Sequence, residues 1–196
     1  MIYAKSNPIE SLGEHTRKLV ENLEKLKEGY GDKLNQDDLL DLLEIAVKYH
    51  DAGKIYSQFQ NKIIANINKY QNKNIEAISS NFDKDIPHNY LSPAFLPIDD
   101  LEYDLEKLKV LIQAIGFHHE RDKEPEVKLI KQIIREELQD KTEELSQELG
   151  IGIPDDLISG YTQELSTRYR IKSDDEKYSL YVLLKGLLHK LDHSAS

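Results

Sequence analysis

Apolar residues recur at helical spacings through most of the sequence, and this pattern constrains the fold more than any other feature. Between residues 12 and 26, four leucines and His15 follow one another at intervals of three or four, which places them on one face of an amphipathic helix. Similar stripes run through residues 101–117, 124–149 and 173–192. No segment shows the sustained period-two alternation that indicates a strand. The sequence therefore predicts an all-α domain, a bundle of helices.

Residues that start or stop helices give the expected boundaries. Pro8, after Ser and Asn, resembles the first position of a helix, where proline is favoured. The glycines in residues 29–32 are expected to end this helix, and Asn35 is expected to cap the second. Residues 81–87 are predicted to form a loop, and residues 155–169 a short helix.

The bulk composition indicates one ordinary water-soluble domain. A chain of 196 residues can bury a substantial core, and we find no repeat or linker, so residues 1–196 are interpreted as a single unit. No apolar run approaches the roughly 20 residues that cross a bilayer, and the first residues lack the apolar core of a secretory signal. Because the chain has no cysteine, disulfides, thiolate zinc sites and cysteine nucleophiles are excluded. We expect a cytoplasmic protein with no membrane partner.

The formal net charge of −10 weakens a nucleic-acid hypothesis without excluding it. Residues 135–164 carry nine acidic and two basic side chains, whereas residues 52–80 carry four lysines and one glutamate. The latter segment also contains Tyr56, Phe59 and Tyr70, whose rings could stack on unpaired bases or pack in the core.

A histidine and an aspartate stand side by side in the stretch KYHDAGK, residues 48–54, directly after an apolar helical run. His50 and Asp51 are of the types that bind divalent metals. A histidine that merely stabilises the negative end of a helix dipole is the alternative for His50. His15, on the inward face of the first helix, could likewise be a ligand or a packed histidine. Lys54 lies three residues beyond Asp51 and could reach a substrate phosphate.

Four more candidates follow along the chain, and each is at or beside a predicted helix: His88, His118, His119 and Asp192. Asp192 is the most informative of them, because it falls on the apolar face of the last helix. A carboxylate there is costly to bury unless it is paired or bound to a metal. His189 and His193 fall elsewhere on that helix and are expected to be surface or packing residues.

The order of these residues resembles the HD phosphohydrolase superfamily, whose fold is a helical bundle around a metal site. An early histidine, the KYHDAGK stretch, a lone middle histidine, a later FHH and a final aspartate are similar to one branch in particular. That branch is the HD nuclease domain of the type I CRISPR interference nuclease-helicase, and the closing LLHKLDHSAS also resembles it. The likeness covers essentially the whole chain.

The resemblance implies two divalent ions bridged by Asp51. His15, His50 and Asp192 would complete the first site, and His88, His118 and His119 the second. Ligands rich in imidazole suit Mn, Fe, Ni, Co or Zn, while Mg is a weaker fit. A water activated by the metals would attack the phosphodiester, and Lys54 would assist at the phosphate.

The resemblance also implies a substrate and partners. The substrate would be single-stranded DNA, cut mainly internally, and delivered by a helicase domain or subunit after the Cascade surveillance complex opens the target. The sequence contains no GxxxxGK[ST] motif, so the helicase would come from a partner chain or from a longer protein of which this is the N-terminal part. Two alternatives remain: an HD phosphohydrolase acting on nucleotides or cyclic nucleotides, and a non-catalytic helical module.

Overall fold

Helices make up most of the protein in a computed structural model that describes residues 1–34, 36, 38–119 and 125–195. The α-helices are α1 (Leu12–Leu34), α2 (Leu39–Tyr49), α3 (Ser57–Gln71), α4 (His88–Leu91), α5 (Leu105–Gly116), α6 (Val127–Ile133), α7 (Thr142–Leu149) and α8 (Tyr178–Ser194). An antiparallel hairpin of β1 (Tyr3–Ser6) and β2 (Ile9–Ser11) precedes them. The prediction of an all-α bundle of helices is confirmed. In the described ranges, no helix combines the length and apolar character that a bilayer crossing requires.

Helix α2 lies at the centre of the bundle and packs against α1, α5 and α8. The apolar run that the sequence shows there is buried: Leu39, Leu42, Leu43, Ala46 and Val47. Burying each leucine stabilises the fold by roughly 1.5–3 kcal/mol. Because α2 is surrounded by helices and ends inside the bundle, the residues that follow it lie in the interior.

The first helix begins later than predicted, because Pro8 lies in a hairpin turn. Ser6 pairs with Ile9 across the hairpin, and α1 begins only at Leu12. Its start is stabilised by a reciprocal pair of hydrogen bonds: the Glu14 amide donates to Ser11 Oγ at 3.1 Å, and the Ser11 amide donates to Glu14 Oε2 at 2.9 Å. This is a capping box, which satisfies amide groups that the first turn of a helix leaves unpaired.

The predicted break at residues 29–32 is also wrong, since α1 continues to Leu34. Gly29 is exposed, and each glycine in a helix costs only about 1 kcal/mol relative to alanine. Leu34 packs against the core beyond the glycines, which favours continuation of the helix. The predicted cap Asn35 and the predicted start of the acidic helix at residue 124 lie outside the described residues.

The later segments follow the prediction in part. The loop at residues 81–87 is confirmed, and α6 and α7 are joined by a π turn (Ile134–Leu138) and a 3-10 turn (Gln139–Lys141) into one helical segment that ends at Gly150. Residues 155–169 form only 3-10 turns, at Gly160–Gln163 and Thr167–Tyr169. The Gln113 side chain donates hydrogen bonds to the carbonyls of Glu164 and Tyr169, so tertiary contacts replace helical ones in the last part of this stretch.

Candidate metal centre

The end of α2 places His50 and Asp51 in the interior. The His50 amide donates to the Ala46 carbonyl at 2.9 Å and completes the last turn, after which the chain enters a 3-10 turn at Ala52–Ile55. Gly53 in this turn lies against α4, and a Cβ there would overlap the His88 carbonyl oxygen. The glycine is therefore needed for a close approach between the two segments that carry His50, Asp51 and His88.

One group of ligand-type atoms joins the first and last helices to the end of α2. His15, His50, Asp51 and Asp192 each place one such atom within 4.8 Å of all the others. His15 Nε2 lies 3.0 Å from Asp192 Oδ1 and 3.5 Å from Asp51 Oδ2. His50 Nε2 also lies 3.5 Å from Asp51 Oδ2. The four side chains come from three separated parts of the chain.

A second group lies on the other side of Asp51. Asp51, His88, His118 and His119 also each place one ligand-type atom within 4.8 Å of all the others. His88 Nε2 is 3.0 Å, and His118 Nε2 3.8 Å, from Asp51 Oδ1. The two carboxylate oxygens of Asp51 thus face different groups. His118 and His119 reach the same side because α5 has already ended at Gly116, and their ring centroids are 4.1 Å apart.

Backbone carbonyls fix the orientation of two imidazoles. His50 Nδ1 donates to the Val47 carbonyl at 3.0 Å, and His118 Nδ1 donates to the Ile115 carbonyl at 2.6 Å. A carbonyl can only accept, so Nδ1 of each ring carries a proton and Nε2 faces the site. This is the usual arrangement around metal-binding histidines.

The centre contains several buried polar atoms that no hydrogen bond satisfies within the described residues. They are Nε2 of His50, His88 and His118, and Oδ1 of Asp51, which lies 3.0 Å from His88 Nε2 but outside hydrogen-bond geometry. An unsatisfied buried group costs about 1–3 kcal/mol, so such a cluster is unfavourable unless another species occupies the space between the atoms. Three imidazole nitrogens and a carboxylate oxygen are of the types that a divalent transition metal prefers as ligands. The residues present therefore fit a bound metal.

The electrostatics of the centre favour protonation states that bind cations. Burial alone would raise the pKa of Asp51, but His50, Lys54 and His88 hold it well below its ordinary value. Burial would raise the pKa of Asp192 as well, but its hydrogen bond with His15 and the nearby His50 imidazole outweigh this effect and keep that pKa low. Burial lowers the pKa of His88 to about 4.

The pKa values of His118 and His50 are shifted in opposite directions. Burial lowers the pKa of His118 well below its usual range. Burial would do the same to His50, but the Asp51 and Asp192 carboxylates reverse it and raise the pKa of His50. At neutral pH both carboxylates are therefore ionised and His88 and His118 are neutral, which is the state in which these groups coordinate metals.

Lys54 is buried, and its ammonium is part of the centre. Its Nζ lies 2.6 Å from Asp51 Oδ2 and 5.9 Å from the centre of the Phe59 ring. The contact with Asp51 was not expected from the sequence, where Lys54 was predicted to reach a phosphate. That predicted role stays a prediction.

The aromatic residues of the lysine-rich segment differ in their exposure to solvent: Tyr56 is fully buried, whereas Tyr70 is 69% exposed. His189 and His193 are exposed, as expected.

Sequence reasoning missed Glu10, which is buried with its Oε2 3.4 Å from His15 Nδ1 and 2.9 Å from Lys5 Nζ. Its carboxylate lies behind His15, where carboxylates commonly orient metal-binding histidines, but His15 Nδ1 forms no hydrogen bond within the described residues. The sequence signal that could have located Glu10 is the capping box of Ser11 and Glu14. It sets the start of α1 and therefore places Glu10 directly before the helix.

Comparison with known proteins assigns the chain to a family. Residues 10–187 match the family described as "Cas3, HD domain". The chain belongs to this family. The Cas3 HD domains are CRISPR-associated HD-type phosphohydrolases or nucleases, and HD domains bind divalent metals. No curated protein and no solved structure matches the chain.

The family match and the geometry of the site complement each other. The match covers six of the seven predicted ligands but ends before Asp192. For Asp192, the association with the centre therefore depends on its distance to His15 and on the group of four that these residues form.

Proposed function

We propose that the chain is a metal-dependent nuclease that hydrolyses phosphodiester bonds of single-stranded DNA, using two divalent ions that share Asp51. The proposal refines the family assignment in three respects: the substrate, the number of ions and the residues that hold them. His15, His50, Asp51 and Asp192 would hold one ion, and Asp51, His88, His118 and His119 the other.

The observation that carries this proposal is the position of Asp51 between two ligand groups. Its Oδ2 is 3.5 Å from both His15 Nε2 and His50 Nε2, while its Oδ1 is 3.0 Å from His88 Nε2. A carboxylate with one oxygen toward each group is suited to bridge two cations. A single-ion site would require no more than one of these groups.

Two bound divalent ions would supply positive charge to a phosphodiester and lower the pKa of a water molecule, so that a nucleophile forms near neutral pH. The residues of this chain would hold the ions and limit solvent access. Five of the seven candidate ligands are buried, so the centre is largely surrounded by protein. Lys54 holds the Asp51 carboxylate in place through its 2.6 Å contact, and we propose that it also favours an approaching phosphate.

The partners proposed for the nuclease follow from the family. A helicase domain or subunit would unwind the target and supply the unpaired strand, and the Cascade complex would recruit it. The cytoplasmic location remains a prediction.

A second candidate function is hydrolysis of nucleotides or cyclic nucleotides. The net charge of −10 favours it, because a small substrate needs no extended basic surface. The same metal groups would serve both reactions, so the substrate must be decided by experiment.

Circular single-stranded DNA distinguishes the two candidates. The protein is incubated with the circle and Mn²⁺, Ni²⁺, Co²⁺ or Mg²⁺, with a chelator as the control. We expect conversion of the circle to linear and shorter products with metal and none with chelator, because only internal cleavage opens a circle. Hydrolysis of nucleotides with the circle left intact would contradict the proposal and support the second candidate.

A further inference from the structure

Two of the seven candidate ligands are partly exposed in the described part of the chain. His15, His50, Asp51, His88 and His118 are buried, whereas His119 is only partly buried and the Asp192 side chain is 14% exposed. A polymer substrate must therefore reach the centre past His119 and Asp192. Asp192 belongs to α8, so this helix forms part of the approach.

A cleft of about 690 Å³ opens beside His118 and His119 and is lined on the other side by α8. Its volume is in the range of ligand-binding sites. Tyr178, Tyr181 and Lys185 of α8 line it, and Tyr178 is 37% exposed. The cleft thus continues from two of the candidate ligands onto a surface that carries aromatic rings and a cation.

The part of α8 before Asp192 is positively charged, which suits a nucleic acid. In a chain with a net charge of −10, residues 178–191 contain Lys185 and Lys190 and no acidic residue. Proteins that bind single strands combine cations along the backbone with aromatic faces on which bases stack, at about 1–3 kcal/mol per base. Tyr178, Tyr181 and Lys185 supply both components within one cleft.

The lysine-rich segment at residues 54–73 fits this role less well. Lys54 is buried against Asp51, so it does not continue an exposed basic surface away from the centre. On α3, Lys69 lies 4.9 Å from the ring centre of the exposed Tyr70, so this pair is the alternative place where a base could stack beside a cation.

We propose that the α8 cleft, lined by Tyr178, Tyr181 and Lys185, binds the unpaired DNA strand on one side of the scissile phosphate. The bases stack on the two tyrosines and the backbone passes Lys185, so that the next phosphate reaches the centre beside His119. This inference rests on the proposed nuclease function, and it assigns the substrate path that the function requires.

Binding of a labelled single-stranded oligonucleotide, measured by fluorescence anisotropy in chelator, tests the cleft separately from cleavage. We expect Kd of the double variant Tyr178→Ala/Lys185→Ala to rise at least about fivefold, from the loss of one stacking partner and one cation. The matched control is Tyr30→Ala/Lys33→Ala, which removes an exposed tyrosine and its neighbouring lysine from the far end of α1. The control is expected to keep wild-type affinity.

A second variant keeps the test valid if the first one folds poorly. Gly186 lines the cleft, and a Cβ added there would meet nothing within 4 Å, so Gly186→Glu fits the helix and places a negative charge in the cleft. Its affinity for the oligonucleotide should fall at least as much as that of the double variant. Circular dichroism would show that its helix content is unchanged.

Three outcomes would overturn the inference. Wild-type affinity in both α8 variants would show that the strand does not bind in this cleft, and would leave the nuclease proposal intact. A loss of affinity in Lys69→Ala/Tyr70→Ala alone would assign the strand to α3. A wild-type protein that binds no oligonucleotide and leaves circular DNA intact would overturn both proposals. This result does not depend on any variant, so it is distinct from the other two.

Discussion

At the scale of single residues, Asp51 has the largest influence on the candidate centre. Both of its oxygens face ligand-type nitrogens, and Lys54 contacts one of them. Its side chain is almost fully buried, yet nearby positive groups keep its pKa low and the carboxylate ionised. A bridging ligand must carry charge in a low-dielectric environment, and this residue has the surroundings that make it possible.

Asp51→Asn should abolish cleavage of circular single-stranded DNA while the fold persists. The amide keeps the size of the side chain but removes the charge shared by the two groups. Replacing residues that only support metal ligands typically costs 10–100-fold, so loss of the bridging ligand should lower the rate by more than about 100-fold. Metal content, measured by mass spectrometry on dialysed protein, should fall together with activity.

The exposed Asp99 provides the matched control for this substitution. Asp99→Asn should retain both metal and activity. Equal activity in Asp51→Asn and wild type would show that the carboxylate is not a bridging ligand.

At the scale of secondary-structure elements, the contact between the 3-10 turn at Ala52–Ile55 and α4 sets the spacing of the ligands. Gly53 approaches α4 so closely that a Cβ would overlap the His88 carbonyl oxygen and lie 2.9 Å from Leu91 Cβ. The Gly53 amide also donates to Ser92 Oγ at 3.0 Å. Any displacement of α4 moves His88 relative to Asp51.

Gly53→Ala should therefore destabilise the protein by about 1–3 kcal/mol, as overpacking of a buried contact usually does. The same substitution at Gly29 should stabilise it by about 0.5–1 kcal/mol, because Gly29 is exposed within α1 and an added methyl group meets nothing. Urea unfolding of both variants measures the difference. Opposite signs are the expected result, and equal effects would contradict the close approach.

Elements with a long apolar stripe could be predicted from sequence, whereas those set by tertiary contacts could not. The stripe in α1 predicted the buried face correctly at His15, Leu19 and Leu23. The start of that helix was misplaced because Pro8 is equally suited to a turn. Leu105 falls on the apolar stripe predicted within residues 101–117, but it is 82% exposed because it is the first residue of α5 and lies beyond the packed part of the stripe.

The sequence predicted which seven residues come together, but not their detailed contacts, and their role as metal ligands stays a prediction. All seven predicted ligand-type residues lie in the two groups, which agrees with the order of motifs along the sequence. Sequence order carries no distances, so it could not show that Lys54 contacts Asp51 or that Glu10 lies behind His15. Both contacts depend on how distant helices pack.

At the scale of the whole molecule, the buried centre links stability to pH. In metal-free protein, burial lowers the pKa of His88 from an ordinary value of 6.5 to about 4. Between these two values the unfolded chain binds a proton at this residue that the folded chain does not. Stability therefore rises with pH across this window and is lost as the pH falls.

We expect the free energy of unfolding of metal-free protein to decrease as the pH is lowered from 6.5 to 4, by roughly 3 kcal/mol from His88 alone. His118 acts in the same direction, since its pKa is also lowered. His50 opposes them at higher pH, because its pKa is raised and its contribution is lost as the pH rises through the folded value. Chemical unfolding in chelator at a series of pH values measures the slope.

His88→Gln should flatten this dependence, since the substitution removes the group that takes up the proton. A wild-type curve that is flat between pH 6.5 and 4 would contradict the buried, neutral state of His88.

One consequence concerns synthesis of the protein on the ribosome. His15 and Asp192, 3.0 Å apart in the folded chain, are separated by 177 positions in the sequence. A nascent chain therefore lacks one member of the first group until translation has reached the last helix. If both groups are needed for hydrolysis, an incomplete chain cannot damage nucleic acid, and the activity arises only when synthesis of α8 is finished.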